Sequence, residues 1–125
     1  MDFHLEYEGT VLDQLVTYAR EKLDPLEIKE CWSVVSDPGG WTGPHDHGKA
    51  DMVLIYYLSA GELFSTIPVE PAAEITFDFT DTAPYSIRPK DGDVIIFDGD
   101  VPHRIGRTPQ TRVCIAFNAY EKENP

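Results

Sequence analysis

Gly92-Asp93-Val94-Ile95-Ile96-Phe97-Asp98-Gly99-Asp100-Val101-Pro102-His103 reads as an apolar strand, a Gly/Pro-rich turn, and a histidine that opens the next strand. A second stretch, Gly39-Gly40-Trp41-Thr42-Gly43-Pro44-His45-Asp46-His47, carries two more histidines. The chain has only four histidines, and three of them sit in these two segments. If the second stretch is extended, His45 and His47 point to one face and can share a cation. Neutral imidazole is the commonest metal ligand. A set built from it suits iron, zinc, copper or nickel better than magnesium or calcium. Exposed loop histidines beside a satisfied core histidine are the plainer reading of the first pair. The separate, strand-borne His103 favours a shared metal.

The surrounding pattern says what could bring these segments together. A helix is predicted near the start, with Thr10 as its N-cap. Its apolar stripe is Val11, Leu12, Leu15, Val16, Ala19 and Leu23, and Asp24-Pro25 ends it. Beyond Pro25 the chain reads as strands and turns. Strands are expected at 29–36, 41–47, 51–58, 63–68, 74–79, 85–88, 93–97, 103–106 and 112–120. Many short strands behind one helix imply a mainly β protein, an antiparallel sandwich or barrel. The double-stranded β-helix, or jelly roll, is the barrel in which strand-borne histidines converge inside. The expected organisation is therefore one domain over 1–125, with a helical segment at 1–25 packed outside a barrel at 29–120.

A chain of 125 residues with 42% apolar content can bury a core without a disulfide framework. Cys31 and Cys114 are expected as free thiols. The net charge of −12 repels phosphate backbones, which argues against nucleic acid as substrate or partner. No apolar run approaches the roughly 20 residues of a membrane span. Met1-Asp2-Phe3-His4 lacks the basic start of a signal peptide. A cytoplasmic location away from membranes is the resulting expectation. No nucleophile elbow, phosphate loop or Cys-x-x-Cys pair is present.

From Trp41 onward the chain resembles the iron(II)- and 2-oxoglutarate-dependent oxygenases, particularly their prolyl-4-hydroxylase-like branch. The resemblance rests on His45-Asp46-His47, Ile55-Tyr56-Tyr57-Leu58, Gly92 to Phe97, His103 and Arg112. His45 and His103 are 58 residues apart, and Arg112 follows His103 by nine. The family places a carboxylate two residues after its first histidine. This chain has His47 there and looks like a His-x-His variant. The resemblance implies iron(II) held by His45, His103 and a third ligand, His47 in first place and Asp51 as the lesser candidate. It also implies 2-oxoglutarate as co-substrate, its distal carboxylate paired with the Arg112 fork. Co-substrate would be decarboxylated to succinate while a C–H bond of a small molecule or peptide is hydroxylated.

Cupins are the rival resemblance. Their pattern is met by Gly39, five residues, His45-Asp46-His47, three residues and Asp51, then by Gly92, five residues, Asp98-Gly99-Asp100, two residues and His103. A cupin-type metal-binding protein that makes no use of 2-oxoglutarate would follow. Arg112 has no task in that pattern. By strand alternation it shares a face with Cys114, Ala116 and Asn118, a small or polar lining suited to a cofactor pocket.

Tyr57 and Asn118 are further candidates for the co-substrate. Trp41 and Arg104 are candidates for a substrate pocket, and Trp32 reads as a packing residue. So short a chain leaves little for a lid, which makes a second copy, in a homo-oligomer, a candidate to complete the pocket.

Overall fold

The computed structural model describes residues 11–59, 74–107 and 111–122. Among these residues helix α1 (Val11–Leu23) precedes eight strands: β1 (Glu27–Ser36), β2 (Thr42–His45), β3 (Met52–Ser59), β4 (Ile75–Phe77), β5 (Tyr85–Ile87), β6 (Val94–Asp98), β7 (His103–Ile105) and β8 (Arg112–Tyr120). The expected N-cap Thr10 and the expected strand at 63–68 lie outside the described residues.

The strands form two four-stranded sheets, ordered β1-β8-β3-β6 and β2-β7-β4-β5, with every neighbouring pair antiparallel. Apart from the β4–β5 hairpin, successive strands cross from one sheet to the other, so the fold is the expected double-stranded β-helix with a helix outside it.

The sequence of the central strands explains the layering. Met52 to Ser59 and Arg112 to Tyr120 are nearly continuous apolar runs, and both are buried along most of their length. Such runs belong to strands covered on both faces. On the inner face Val53, Ile55, Tyr57, Cys114 and Ala116 meet Ile75, Phe77 and Phe97 between the sheets. On the outer face Leu54, Phe117 and Ala119 meet Val16, Ala19 and Leu23 of α1. Those helix positions recur at three and four residues, the spacing of one helical face. Full burial of a side chain such as Leu54 contributes about 1.5–3 kcal/mol, and the outer layer rests on several of these.

The shorter β2, β4, β5 and β7 make the sheet that bears two of the three clustered histidines. Cys31 and Cys114 are both free, as expected. Burial raises both thiols above their ordinary range, Cys114 to about 11.

Candidate functional site

Antiparallel pairing of β2 with β7 puts His45 directly opposite His103. Their rings lie 4.3 Å apart, centre to centre. His47 arrives by a different route from strand alternation, because β2 ends at His45. A tight turn follows, in which Asp46 Oδ1 accepts the Gly48 N–H at 2.9 Å. Gly48 takes φ +61, the left-handed region that favours glycine. The His47 N–H then donates to the Gly99 carbonyl at 2.8 Å, tying this turn to the one that precedes His103. Gly99 allows that contact, since a Cβ there would drive into the Ala50 carbonyl.

The three histidines form one cluster, with ligand-capable nitrogens all within 4.8 Å of one another. His47 Nε2 and His103 Nε2 are 3.3 Å apart. Two ligands at roughly 2.0–2.1 Å from one ion are separated by about 3 Å, so this spacing fits a shared cation. The opposite nitrogen of each ring is already engaged. His45 Nδ1–H donates to the Gly43 carbonyl at 3.0 Å, and His103 Nδ1–H to the Val101 carbonyl at 3.0 Å. His47 Nδ1–H donates to Asn118 Oδ1 at 2.8 Å. With the proton on Nδ1, each ring keeps its lone pair on Nε2, the tautomer a metal needs. Burial lowers the pKa of His47 and pulls that of His103 down to about 4. At neutral pH His103 is therefore an uncharged donor.

The cluster opens into a cavity of about 170 Å³ between the sheets, lined also by Trp32, Tyr57, Cys114 and Arg112. Arg112 is only 4% exposed. Its Nη2 donates to Ser36 Oγ at 3.1 Å, while its Nε has no partner among the described residues. Tyr57 Oη is likewise buried and unpartnered there. Burial pushes the Tyr57 phenol above its ordinary pKa, so it is a neutral donor. A buried cation and a buried hydroxyl, both with open hydrogen-bonding capacity, suit an anion entering the cavity.

The remaining candidates separate. Asp51 lies apart from the cluster, its Oδ2 accepting the Glu121 N–H at 2.8 Å. Asn118 faces the same side as Arg112, as alternation predicts, but its amide reaches His47 rather than lining the cavity. Trp41 is 63% exposed and joins Arg104 in a neighbouring groove. That groove shares Thr42 and Ile105 with the histidine-lined cavity. Arg104 is also paired with Asp78 at 3.2 Å. Trp32, read from sequence as packing, stacks on His47 with ring centres 5.8 Å apart and walls the cavity. Glu30, which sequence reasoning did not single out, accepts from Asn118 Nδ2 at 3.4 Å.

A jelly-roll barrel with three imidazoles converging beside a buried arginine defines a class of proteins able to hold one metal ion inside the barrel. The family model for 2OG-Fe(II) oxygenases matches residues 30–118, and the chain belongs to that family. No curated protein sequence matches the chain. Among solved structures, a Pseudomonas putida prolyl-4-hydroxylase aligns at TM-score 0.63 and 18% identity, over 90% of this chain and 63% of that one. A Burkholderia pseudomallei oxidoreductase of the 2OG-Fe(II) oxygenase family aligns at TM-score 0.66 and 13% identity, over 94% and 55%. A Trichoplax adhaerens prolyl hydroxylase, solved with a hypoxia inducible factor oxygen degradation domain peptide fragment, aligns at TM-score 0.62 and 15% identity, over 88% and 53%. At these identities the likeness establishes the fold. The chain spans between 53% and 63% of the length of these three proteins. No helix among the described residues is long and apolar enough to cross a membrane.

Proposed function

We propose that this chain is an iron(II)- and 2-oxoglutarate-dependent dioxygenase that hydroxylates a C–H bond of a small molecule or a peptide. The observation that carries this reading is Arg112, a guanidinium 4% exposed, with its Nε unpartnered among the described residues, lining the same cavity as three convergent imidazoles. The cupin pattern assigns no task to an arginine at this position.

In this reading His45, His47 and His103 hold the iron through Nε2. When bound, iron and 2-oxoglutarate supply oxygen activation, with the co-substrate decarboxylated to succinate. The protein supplies position and exclusion of water. Arg112 pairs with the distal carboxylate, and Tyr57 Oη offers a second, neutral hydrogen bond. Buried donors of this kind hold a carboxylate in one orientation. Trp32 covers one side of His47 and limits water there. The groove of Trp41 and Arg104 adjoins the cavity through Thr42 and Ile105, so it offers the oxidised substrate an approach.

The test is titration of the anaerobic iron(II) protein with 2-oxoglutarate, followed by a succinate assay after oxygen is admitted. A metal-to-ligand charge-transfer band and succinate are expected. Absence of both would move the assignment to a cupin-type metal protein.

A further inference from the structure

An imidazole ligates only through the nitrogen that lacks a proton, and each ring has two tautomers to choose from. For His45 and His103 the choice is made by backbone. The Gly43 and Val101 carbonyls only accept, so Nδ1 must carry the proton. His47 differs, because its Nδ1 meets an amide that could present either end. If Asn118 turned its Nδ2 toward His47, the proton would move to Nε2. That is the nitrogen facing His103, and the cluster would lose a donor.

Something must therefore hold the Asn118 amide the right way round. Glu30 and Asn118 are register partners on β1 and β8. Asn118 Nδ2 donates to Glu30 Oε1 at 3.4 Å, and Tyr120 Oη donates to the same oxygen. A carboxylate accepts and cannot donate, so it keeps Nδ2 on its own side and Oδ1 on the side of His47.

We infer that Glu30, acting through the Asn118 amide, sets the tautomer of His47 and with it the affinity of the three-histidine cluster for a divalent cation. The inference rests on the cluster being the metal site. Glu30 acts here by orientation. It is exposed, so its field at the cluster is screened by solvent and salt. Glu30 and Asn118 are positioning residues, and neither is placed as a ligand.

The experiment compares Glu30→Gln, Glu30→Lys and the double variant Glu30→Lys/Asn118→Asp with the wild-type chain. Long-range proton–nitrogen spectra of the metal-free proteins read the tautomer of His47 directly, and titration with cobalt(II) reads affinity. Wild type should show the Nδ1–H form. Gln can still accept, so Glu30→Gln should stay near wild type in both measurements. Lys can only donate, so Glu30→Lys should turn the amide, shift His47 toward the Nε2–H form and weaken cobalt(II) binding about 10–100-fold. Asp at position 118 cannot donate whatever lies beside it, so the double variant should recover the Nδ1–H form and most of the affinity. Raising salt should leave these differences in place. An unchanged tautomer in Glu30→Lys, or a shifted tautomer with unchanged affinity, overturns the inference. A wild-type chain that bound no cobalt(II) would sink the metal reading, and the spectra would still decide the role of Glu30.

Discussion

Tyr57 and Arg112 come from neighbouring strands of one sheet, face the same cavity, and each leaves a buried polar atom without a partner among the described residues. Leaving such a group unsatisfied costs roughly 1–3 kcal/mol, a cost that a bound carboxylate would remove. Arg112→Lys should therefore weaken 2-oxoglutarate binding by roughly 1.5–3 kcal/mol, the size of a charge-assisted hydrogen bond, because an ammonium cannot reproduce the fork. Arg112→Ala should weaken it further, and Tyr57→Phe less than either. Iron content should not change in any of them. Co-substrate affinity is read from the charge-transfer band, and an unaltered affinity in Arg112→Ala would remove the main ground for the oxygenase assignment.

Metal content should separate the two candidates for the third ligand. His45→Ala, His47→Ala and His103→Ala each remove one of three nitrogens gathered within 4.8 Å. Each should abolish stoichiometric iron or cobalt. Asp51→Asn should keep the metal, because its carboxylate already receives the Glu121 N–H away from the cluster. Metal analysis after dialysis decides it: retention in His47→Ala with loss in Asp51→Asn would reverse the ranking.

The parts of this molecule that were legible in sequence are those set by periodicity. The runs 51–58 and 112–120 are apolar enough to announce covered strands, and β3 and β8 lie within one residue of them. Alternation along β8 also placed Arg112, Cys114 and Ala116 on the cavity side. What periodicity cannot reach is the turn at 46–50. Regular alternation over 41–47 was expected to align His45 with His47, whereas β2 stops at His45 and the turn swings His47 in. The choice between His47 and Asp51 hung on that turn. Asn118 faces the expected side, but its contact with His47 depends on where the same turn ends. Glu30 and Trp32 share a face of β1, whose mixed exposure pattern does not advertise a cavity wall.

Gly99 ties the two histidine-bearing turns together. Its carbonyl accepts the His47 N–H, and its own N–H donates to the Asp51 carbonyl at 3.1 Å. A methyl group here would collide with the Ala50 backbone, which cannot move without disturbing the start of β3. Gly99→Ala should thus lower Tm in the metal-free protein and weaken cobalt(II) binding at the same time, because His47 is drawn away from His103. Gly106→Ala is the control, since nothing among the described residues lies within 4 Å of a Cβ there. Equal Tm and equal metal affinity in the two variants would show that the close approach at Gly99 is dispensable.

Acid should destabilise the metal-free protein through His103. Burial lowers its pKa from the ordinary 6.5 to about 4 in the folded state. Between those values the unfolded chain binds the proton and the folded chain resists it, so stability falls as pH drops from about 6.5 toward 4 and levels off below. Burial shifts His47 in the same direction and adds to the slope. Other groups titrate in this window, so the measurement is a difference between two proteins. Thermal melts of metal-free wild type and His103→Phe, taken from pH 7.5 down to 4, should show a shallower loss in the variant. His103 already packs among Phe77 and Phe97, which makes an aromatic ring an acceptable replacement there. Parallel pH profiles for the two proteins would mean that His103 is not the buried neutral base its surroundings imply.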